Sequence, residues 1–181
     1  MNPPEDVSFD LDALIRTIPD FPQPGIQFKD ITSLLQSGPA FKHVIDGWRK
    51  RYADKDVHAI VGADARGFIF GAALAYALEL PFIPVRKKGK LPGKTIEVDF
   101  DLEYGTATFE IHVDSLQKGD RVVLIDDLLA TGGTMEAAAK LVTTLGAEIV
   151  EITFLVELPP LNGRARLKGY PVHALVEFMV D

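Results

Sequence analysis

Two adjacent acids, Asp126 and Asp127, follow the wholly apolar run 122–125 and precede a turn written Ala130, Thr131, Gly132, Gly133, Thr134. An apolar strand that ends in such a turn and opens a helix is a ligand site by its geometry. In open α/β sheets ligands bind beyond the carboxyl ends of the strands, where loop N–H groups and a helix N-terminus both face an anion. Gly132 and Gly133 let the backbone approach closely, and Thr131 and Thr134 add hydroxyl donors. Paired carboxylates would repel a phosphate, so they must serve another part of the ligand, and vicinal sugar hydroxyls are natural donors to them. Phosphate and diol together point to a ribose phosphate. The run lacks the G-x-x-x-x-G-K-[ST] of a nucleoside triphosphatase and the G-x-G-x-x-G of a dinucleotide fold. Taken alone, the acid pair would serve equally well as a magnesium site.

The 181 residues carry a net charge of −7, which opposes general attraction to nucleic acid or to an anionic membrane. An anionic substrate therefore needs a local basic site. Arg86, Lys87, Lys88, Lys90 and Lys94 supply one, placing five of the 19 basic residues within nine positions. The absence of cysteine excludes disulfides, thiolate metal sites and cysteine nucleophiles, and the four histidines have no metal-ligand spacing. No apolar stretch reaches the roughly 18 residues needed to cross a bilayer, and residues at the start lack the pattern of a secretory signal. A cytoplasmic protein with no membrane and no nucleic-acid partner is the expectation.

The elements that must position these residues alternate along the chain. A first helix is expected over 9–18, capped by Ser8 and stopped by Pro19, and a second over 39–52. Then come a buried strand at 59–63, a helix at 67–80, a strand at 82–85, a strand at 122–125, a helix at 133–145 and a strand at 149–156. This order implies a parallel sheet covered on both faces. Residues 95–100 and 107–113 alternate β-type residues about 102–105 and are expected to form an antiparallel hairpin projecting from the sheet. A short helix near 163–167 and a last strand at 172–180 complete one domain, 1–181.

The acid-containing run resembles the phosphoribosyl pyrophosphate motif of type I phosphoribosyltransferases, in the form found in the adenine-type members. Other blocks follow in the family's order: Phe21, Pro22, Pro24, Gly25, Phe28, Lys29, Asp30 and Ile31; then Asp64, Arg66, Gly67, Phe68 and Gly71; then RKKGKLPG at 86–93 and LEYG at 102–105. The resemblance spans nearly the whole chain. It implies an α/β type I phosphoribosyltransferase fold, a central mostly parallel sheet flanked by helices with a projecting hairpin, 94–113, that serves as a mobile catalytic hood.

It also implies a chemistry: adenine and phosphoribosyl pyrophosphate give AMP and pyrophosphate, a purine salvage reaction. Ribose phosphate would be held by Asp126, Asp127, Ala130, Thr131, Gly132, Gly133 and Thr134. Pyrophosphate would be held by Asp64, Ala65, Arg66, Arg86, Lys87 and Lys90, with a cis peptide between Asp64 and Ala65. Arginine at 66 could grip the leaving group bidentately, which lysine cannot. Within an N-terminal base-binding segment, 1–38, Phe28 would stack on the purine while backbone groups at Gln27 and Lys29 read its edge, and Leu158 would close the other face. Glu103 and Tyr104 would reach the reaction from the hood, Glu103 as the proton handler. Mg²⁺ would be bound by substrate and water, with no direct protein ligand, and part of the basic segment would reach a neighbouring subunit in a homodimer. Two alternatives remain: the same transfer to xanthine, hypoxanthine or guanine, and a non-catalytic module that senses phosphoribosyl pyrophosphate.

Overall fold

Asp10 starts the first helix, α1 (Leu11–Leu14), by accepting a hydrogen bond from the Ala13 N–H at 3.2 Å. The computed structural model describes residues 9–101 and 106–179, so Ser8, expected as the cap, lies outside the described residues. The helix is four residues long, not ten, because the next stretch goes into a strand, β1 (Arg16–Pro19), paired antiparallel with β2 (Gln27–Asp30). Thr17 and Ile18 are β-branched and suit a pleated ladder better than a helix. Arg16 fixes the register by an ion pair to its cross-strand partner Asp30 at 2.6 Å. The short α2 (Thr32–Leu35) follows, with Asp30 accepting from the Thr32 N–H at 2.9 Å. Together with most of α3 (Gly38–Tyr52) these elements form one compact unit, Met1–Trp48.

The second unit, Arg49–Asp181, is built on one sheet. Its strands are β3 (Ala59–Ala63), β4 (Phe82–Lys87), β5 (Thr95–Asp101), β6 (Thr106–His112), β7 (Arg121–Leu129), β8 (Glu148–Glu157) and β9 (Val172–Glu177). Their spatial order is β5-β6-β4-β3-β7-β8-β9, parallel from β4 to β9 and antiparallel at β6 and β5. The wholly apolar β3 is buried along its entire length, as a strand covered on both faces must be. Two helices do the covering, α4 (Gly67–Leu78) and α5 (Gly133–Thr144).

Chain direction now decides where a ligand can sit. From β3 the chain crosses through α4 to β4 on one side, and from β7 it crosses through α5 to β8 on the other. Right-handed crossovers that leave in opposite directions put their helices on opposite faces and open a crevice between the two strand ends. The segments following β3 and β7 meet at that crevice.

Two strands of this sheet, β7 and β9, also differ from the sequence expectation. β7 runs four residues further than 122–125, so Asp126 and Asp127 lie inside the strand, because β8 continues to pair with it as far as Leu129 with Glu157. The short helix expected near 163–167 forms on those bounds as a 3-10 helix, Gly163–Leu167, entered through Asn162 in the left-handed region at φ 52°. The last strand stops at Glu177 where its pairing with β8 runs out. The hairpin of β5 and β6 forms as expected and continues the sheet beyond β4, with Phe109 and Ile111 in the core and Ile96, Val98 and Phe100 packed against it. Among the described residues no helix is long and apolar enough to cross a membrane.

Candidate functional site

A cleft of about 430 Å³ opens at the carboxyl ends of β3 and β7. Asp64, Ala65, Arg66, Lys87, Asp126, Asp127, Ala130 and Thr134 line it, so eight residues singled out by type and resemblance converge on one crevice. The remaining wall is apolar: Phe100, Ala107, Phe109 and Leu128. Sequence reasoning missed this wall because an alternating strand reveals which residues share a face, and only the sheet's curvature says that the face turns toward the acids.

Both acids are almost wholly buried, Asp126 at 9% exposure and Asp127 at 4%. Burial, with the neighbouring Asp127 charge behind it, pushes the Asp126 carboxyl well above the ordinary range. Asp126 accepts from the Asp127 N–H at 2.9 Å. Asp127 is ion-paired to the Arg66 Nε at 2.5 Å, which ties the end of β3 to the end of β7 across the crevice. The close fit continues at Gly67, where a Cβ would lie 2.8 Å from the Ile125 carbonyl oxygen and 3.0 Å from Asp126 Oδ1. The Asp64–Ala65 peptide is cis, as the resemblance implies.

Beyond Leu129 the chain turns around a smaller hollow of about 60 Å³, lined by Ala130, Thr131, Gly132 and Thr134 and backed by Phe154. Gly132 sits before α5 at φ +86°. A Cβ there would lie 2.5 Å from the Gly163 carbonyl oxygen, and one on Gly163 would lie 2.3 Å from the Ala130 carbonyl oxygen. The 3-10 segment thus braces the turn from outside, with no room for a side chain on either glycine. Glu157 anchors that segment by accepting two bonds from Arg164, at 2.7 and 2.5 Å. Gly163 escaped sequence reasoning, since a contact between turns some 30 residues apart leaves no local signal. Gly133 is buried as the first residue of α5. Leu158 is buried too, its N–H donating to the Leu129 carbonyl at 2.9 Å.

The basic cluster divides. Lys87 lines the cleft. Arg86 instead packs between the two loops, 3.4 Å from Asp64 Oδ2, 5.9 Å above the Phe68 ring, and donating to the Lys90 carbonyl at 3.2 Å. Lys88 pairs with Glu97 of β5 at 2.7 Å on the exposed side. Lys90 occupies the turn after β4 and does not border the cleft. Neighbours in a strand face opposite sides, so Arg86 and Lys87 could not both face the cleft directly.

The remaining expected residues fall in the first unit or outside the described residues. Gln27, Phe28 and Lys29 lie on β2 in the first unit, opposite Pro19, Ile18 and Thr17. The Phe28 ring meets Phe21 edge-on with centroids 5.1 Å apart, and Lys29 Nζ donates to Thr17 Oγ1 at 2.8 Å. Glu103 and Tyr104 lie outside the described residues.

Comparison with known proteins agrees in extent with this architecture. The family described as phosphoribosyl transferase domain matches residues 30–171. The sequence is 53% identical over 169 residues to the adenine phosphoribosyltransferase of Chloroflexus aurantiacus, covering 93% of this chain and 98% of that one. The crystal structure of adenine phosphoribosyltransferase from Thermoanaerobacter pseudethanolicus superposes with a TM-score of 0.89 at 50% identity, over 92% of this chain and 97% of that one. That of Saccharomyces cerevisiae, complexed with an imino-altritol bisphosphate and adenine, gives 0.85 at 38% identity, over 90% and 94%.

Proposed function

The chain belongs to the phosphoribosyltransferase family, in its adenine branch, and from that premise we propose how its residues divide the work. It is a pentosyltransferase that joins adenine to the ribose phosphate of phosphoribosyl pyrophosphate, giving AMP and pyrophosphate in purine salvage. The observation that carries the assignment of roles is the meeting of the Arg66–Asp127 pair with the glycine-braced turn at one crevice. Amides and hydroxyls of Ala130, Thr131, Gly132, Gly133 and Thr134 hold the 5′-phosphate at the start of α5. Asp126 and Asp127 take the two ribose hydroxyls. Asp64, Ala65, Arg66 and Lys87 face pyrophosphate, with Arg86 and Lys90 in support.

Transfer at the anomeric carbon builds positive charge on the ribose while pyrophosphate leaves with negative charge, so fixed charges and exclusion of water carry the catalysis. Arg66 meets the leaving group, and the buried carboxylates face the ribose. Phe28 stacks on adenine, Gln27 and Lys29 read its edge through their backbone, and Leu158 closes the second face. Glu103, with Tyr104 beside it, takes the proton from the adenine ring. Replacing Glu103 with Gln lowers turnover by about 10²- to 10⁴-fold while adenine affinity stays within a few-fold, as steady-state kinetics and equilibrium binding report.

Mg²⁺ fits this site as a cation held by substrate oxygens and water. Asp127 is engaged by Arg66, and both acids border the cleft where hydrated Mg²⁺ would lie, within reach of its water shell. When bound it neutralises charge on the pyrophosphate. A homodimer is part of the same proposal, supported by the uncharged helix α4, which turns Ile69 (41%) and Tyr76 (87%) to solvent. A cytoplasmic location belongs to it as well, since a sugar carrying a phosphate and a pyrophosphate is too charged to cross a bilayer unaided.

Incubation with Mg²⁺, phosphoribosyl pyrophosphate and each purine in turn, followed by absorbance, tests the reading. AMP formation from adenine with little product from the other bases is the expected result. Turnover with guanine or hypoxanthine in preference to adenine would refute the substrate, and no turnover with any base would favour a sensing module.

A further inference from the structure

Glu110 is 3% exposed, yet it stands on β6, the hairpin strand that pairs with β4, outside every role assigned above. Its Oε1 accepts two backbone hydrogen bonds from the turn after β4, from the Lys90 N–H at 2.8 Å and the Leu91 N–H at 2.7 Å. The turn is shaped for this, because Gly89 adopts φ +80°, the left-handed conformation that lets consecutive amides converge on one anion. Burial raises the Glu110 carboxyl, but donation from the Leu91, Lys90 and Gly89 amides outweighs it and leaves the group below the ordinary range. The carboxylate therefore occupies the turn as an internal anion.

Its other neighbours connect it to the cleft. Glu110 is the cross-strand partner of Arg86, and the next pair along, Phe109 with Lys87, lines the cleft. Arg86 closes the same turn from the opposite side by donating to the Lys90 carbonyl. One buried residue thus fixes both ends of the segment that carries Lys87 and Lys90, its side chain holding the Lys90 and Leu91 amides and its backbone pairing with Arg86 in the ladder.

We propose that Glu110 is a positioning residue for pyrophosphate recognition: it holds the turn at Lys90 and Leu91 so that the charges of Lys87 and Lys90 are set in place before substrate binds. This rests on the assigned phosphoribosyl pyrophosphate site. Electrostatic complementarity stabilises a leaving group most when the charges need no rearrangement, and residues that orient binding groups commonly carry 10- to 100-fold effects.

The test is base-free titration calorimetry of the full-length protein with phosphoribosyl pyrophosphate and Mg²⁺, beside steady-state kinetics with adenine. Glu110→Ala weakens binding and raises KM for phosphoribosyl pyrophosphate about tenfold or more, and leaves KM for adenine within twofold. Glu110→Gln recovers most of the loss, since an amide oxygen accepts the same two N–H groups and its NH₂ can donate to the Thr95 hydroxyl, a partner of Glu110. A local readout accompanies it: trypsin cuts the Lys90–Leu91 bond faster in Glu110→Ala than in the parent. Should Glu110→Ala fail to fold, Glu110→Asp, one methylene too short to reach, shows the same pattern. Unchanged affinity in the folded Ala or Asp variant, or a Gln variant as weak as Ala, would overturn the proposal. Parent protein that binds phosphoribosyl pyrophosphate but makes no nucleotide would sink the assigned reaction and leave this inference standing; parent protein that binds none would sink both.

Discussion

The turn after β7 owes its shape to what cannot fit between Ala130, Gly132 and Gly163, whereas the turn after β4 owes its shape to what its amides and Arg86 hold. The first is braced by backbone against backbone, so it has few ways to yield. The second is braced by side chains, the buried Glu110 and the half-buried Arg86, so its geometry depends on hydrogen bonds and charge. In the proposed roles the first holds the phosphate common to substrate and product by backbone shape, while the second meets the departing pyrophosphate with charges that side-chain hydrogen bonds hold in place. The contrast teaches that steric substitutions should ruin the first region and charge substitutions should grade the second.

The largest expected effect is at Gly132. An alanine there must take φ +86° at roughly 1–2 kcal/mol and set its Cβ 2.5 Å from the Gly163 carbonyl oxygen, so the turn has to open. Gly132→Ala loses about 100-fold or more in kcat/KM for phosphoribosyl pyrophosphate; near-parental activity would break the claim that backbone packing sets this region. Next is Arg66→Lys, which keeps the charge and loses the fork. It lowers kcat/KM about 10- to 100-fold, because lysine meets neither Asp127 nor a pyrophosphate bidentately.

The arm gives smaller changes. Lys88→Ala alters kcat/KM by less than about threefold, since its ion pair with Glu97 lies on the exposed side where such pairs contribute little. Lys87→Ala, removing the cleft-lining charge, costs clearly more, with the loss shrinking at high salt. Equal effects at the two lysines would remove the distinction drawn from strand alternation.

The smallest effect on activity comes from the far end of the sheet. Burial would raise Glu151, but hydrogen bonds from Arg51 and Tyr52, with the charges of Arg51 and Lys55, bring it from 4.5 down to about 2. A carboxylate whose folded pKa is depressed stabilises the fold above its unfolded pKa and loses that contribution as pH falls toward the folded value. Thermal unfolding midpoints should therefore hold near neutrality and decline between pH 4.5 and 2, and Glu151→Gln should flatten that decline while leaving turnover at pH 7 nearly unchanged.

Much of this was legible in the letters. Periodicity placed β3 on its observed bounds and α4, α5 and β8 within a few residues, because apolar alternation and Gly or Pro punctuation are local properties. It failed at Arg16–Pro19, where a helical pattern yielded to pairing with β2, an outcome no local window contains. The candidate site was legible as residue types, with Asp64, Arg66, Asp126, Asp127 and Thr134 all reaching one cleft. Its apolar wall at Phe100 and Phe109 was not, since the relation of the hairpin to β7 depends on how the whole sheet curves.

The sequence by itself determined which chemistry this protein could do, since an acid pair, a glycine turn and a basic run define ligand classes wherever they stand. Only the tertiary structure decided how those groups share the task. Strand register sends Lys87 into the cleft and leaves Arg86 to hold the loops; the crossover directions bring Arg66 to Asp127; and the 3-10 segment closes on Gly132. Each of these is a contact between residues distant in the chain, fixed by packing and hydrogen-bond satisfaction that no local stretch of residues encodes.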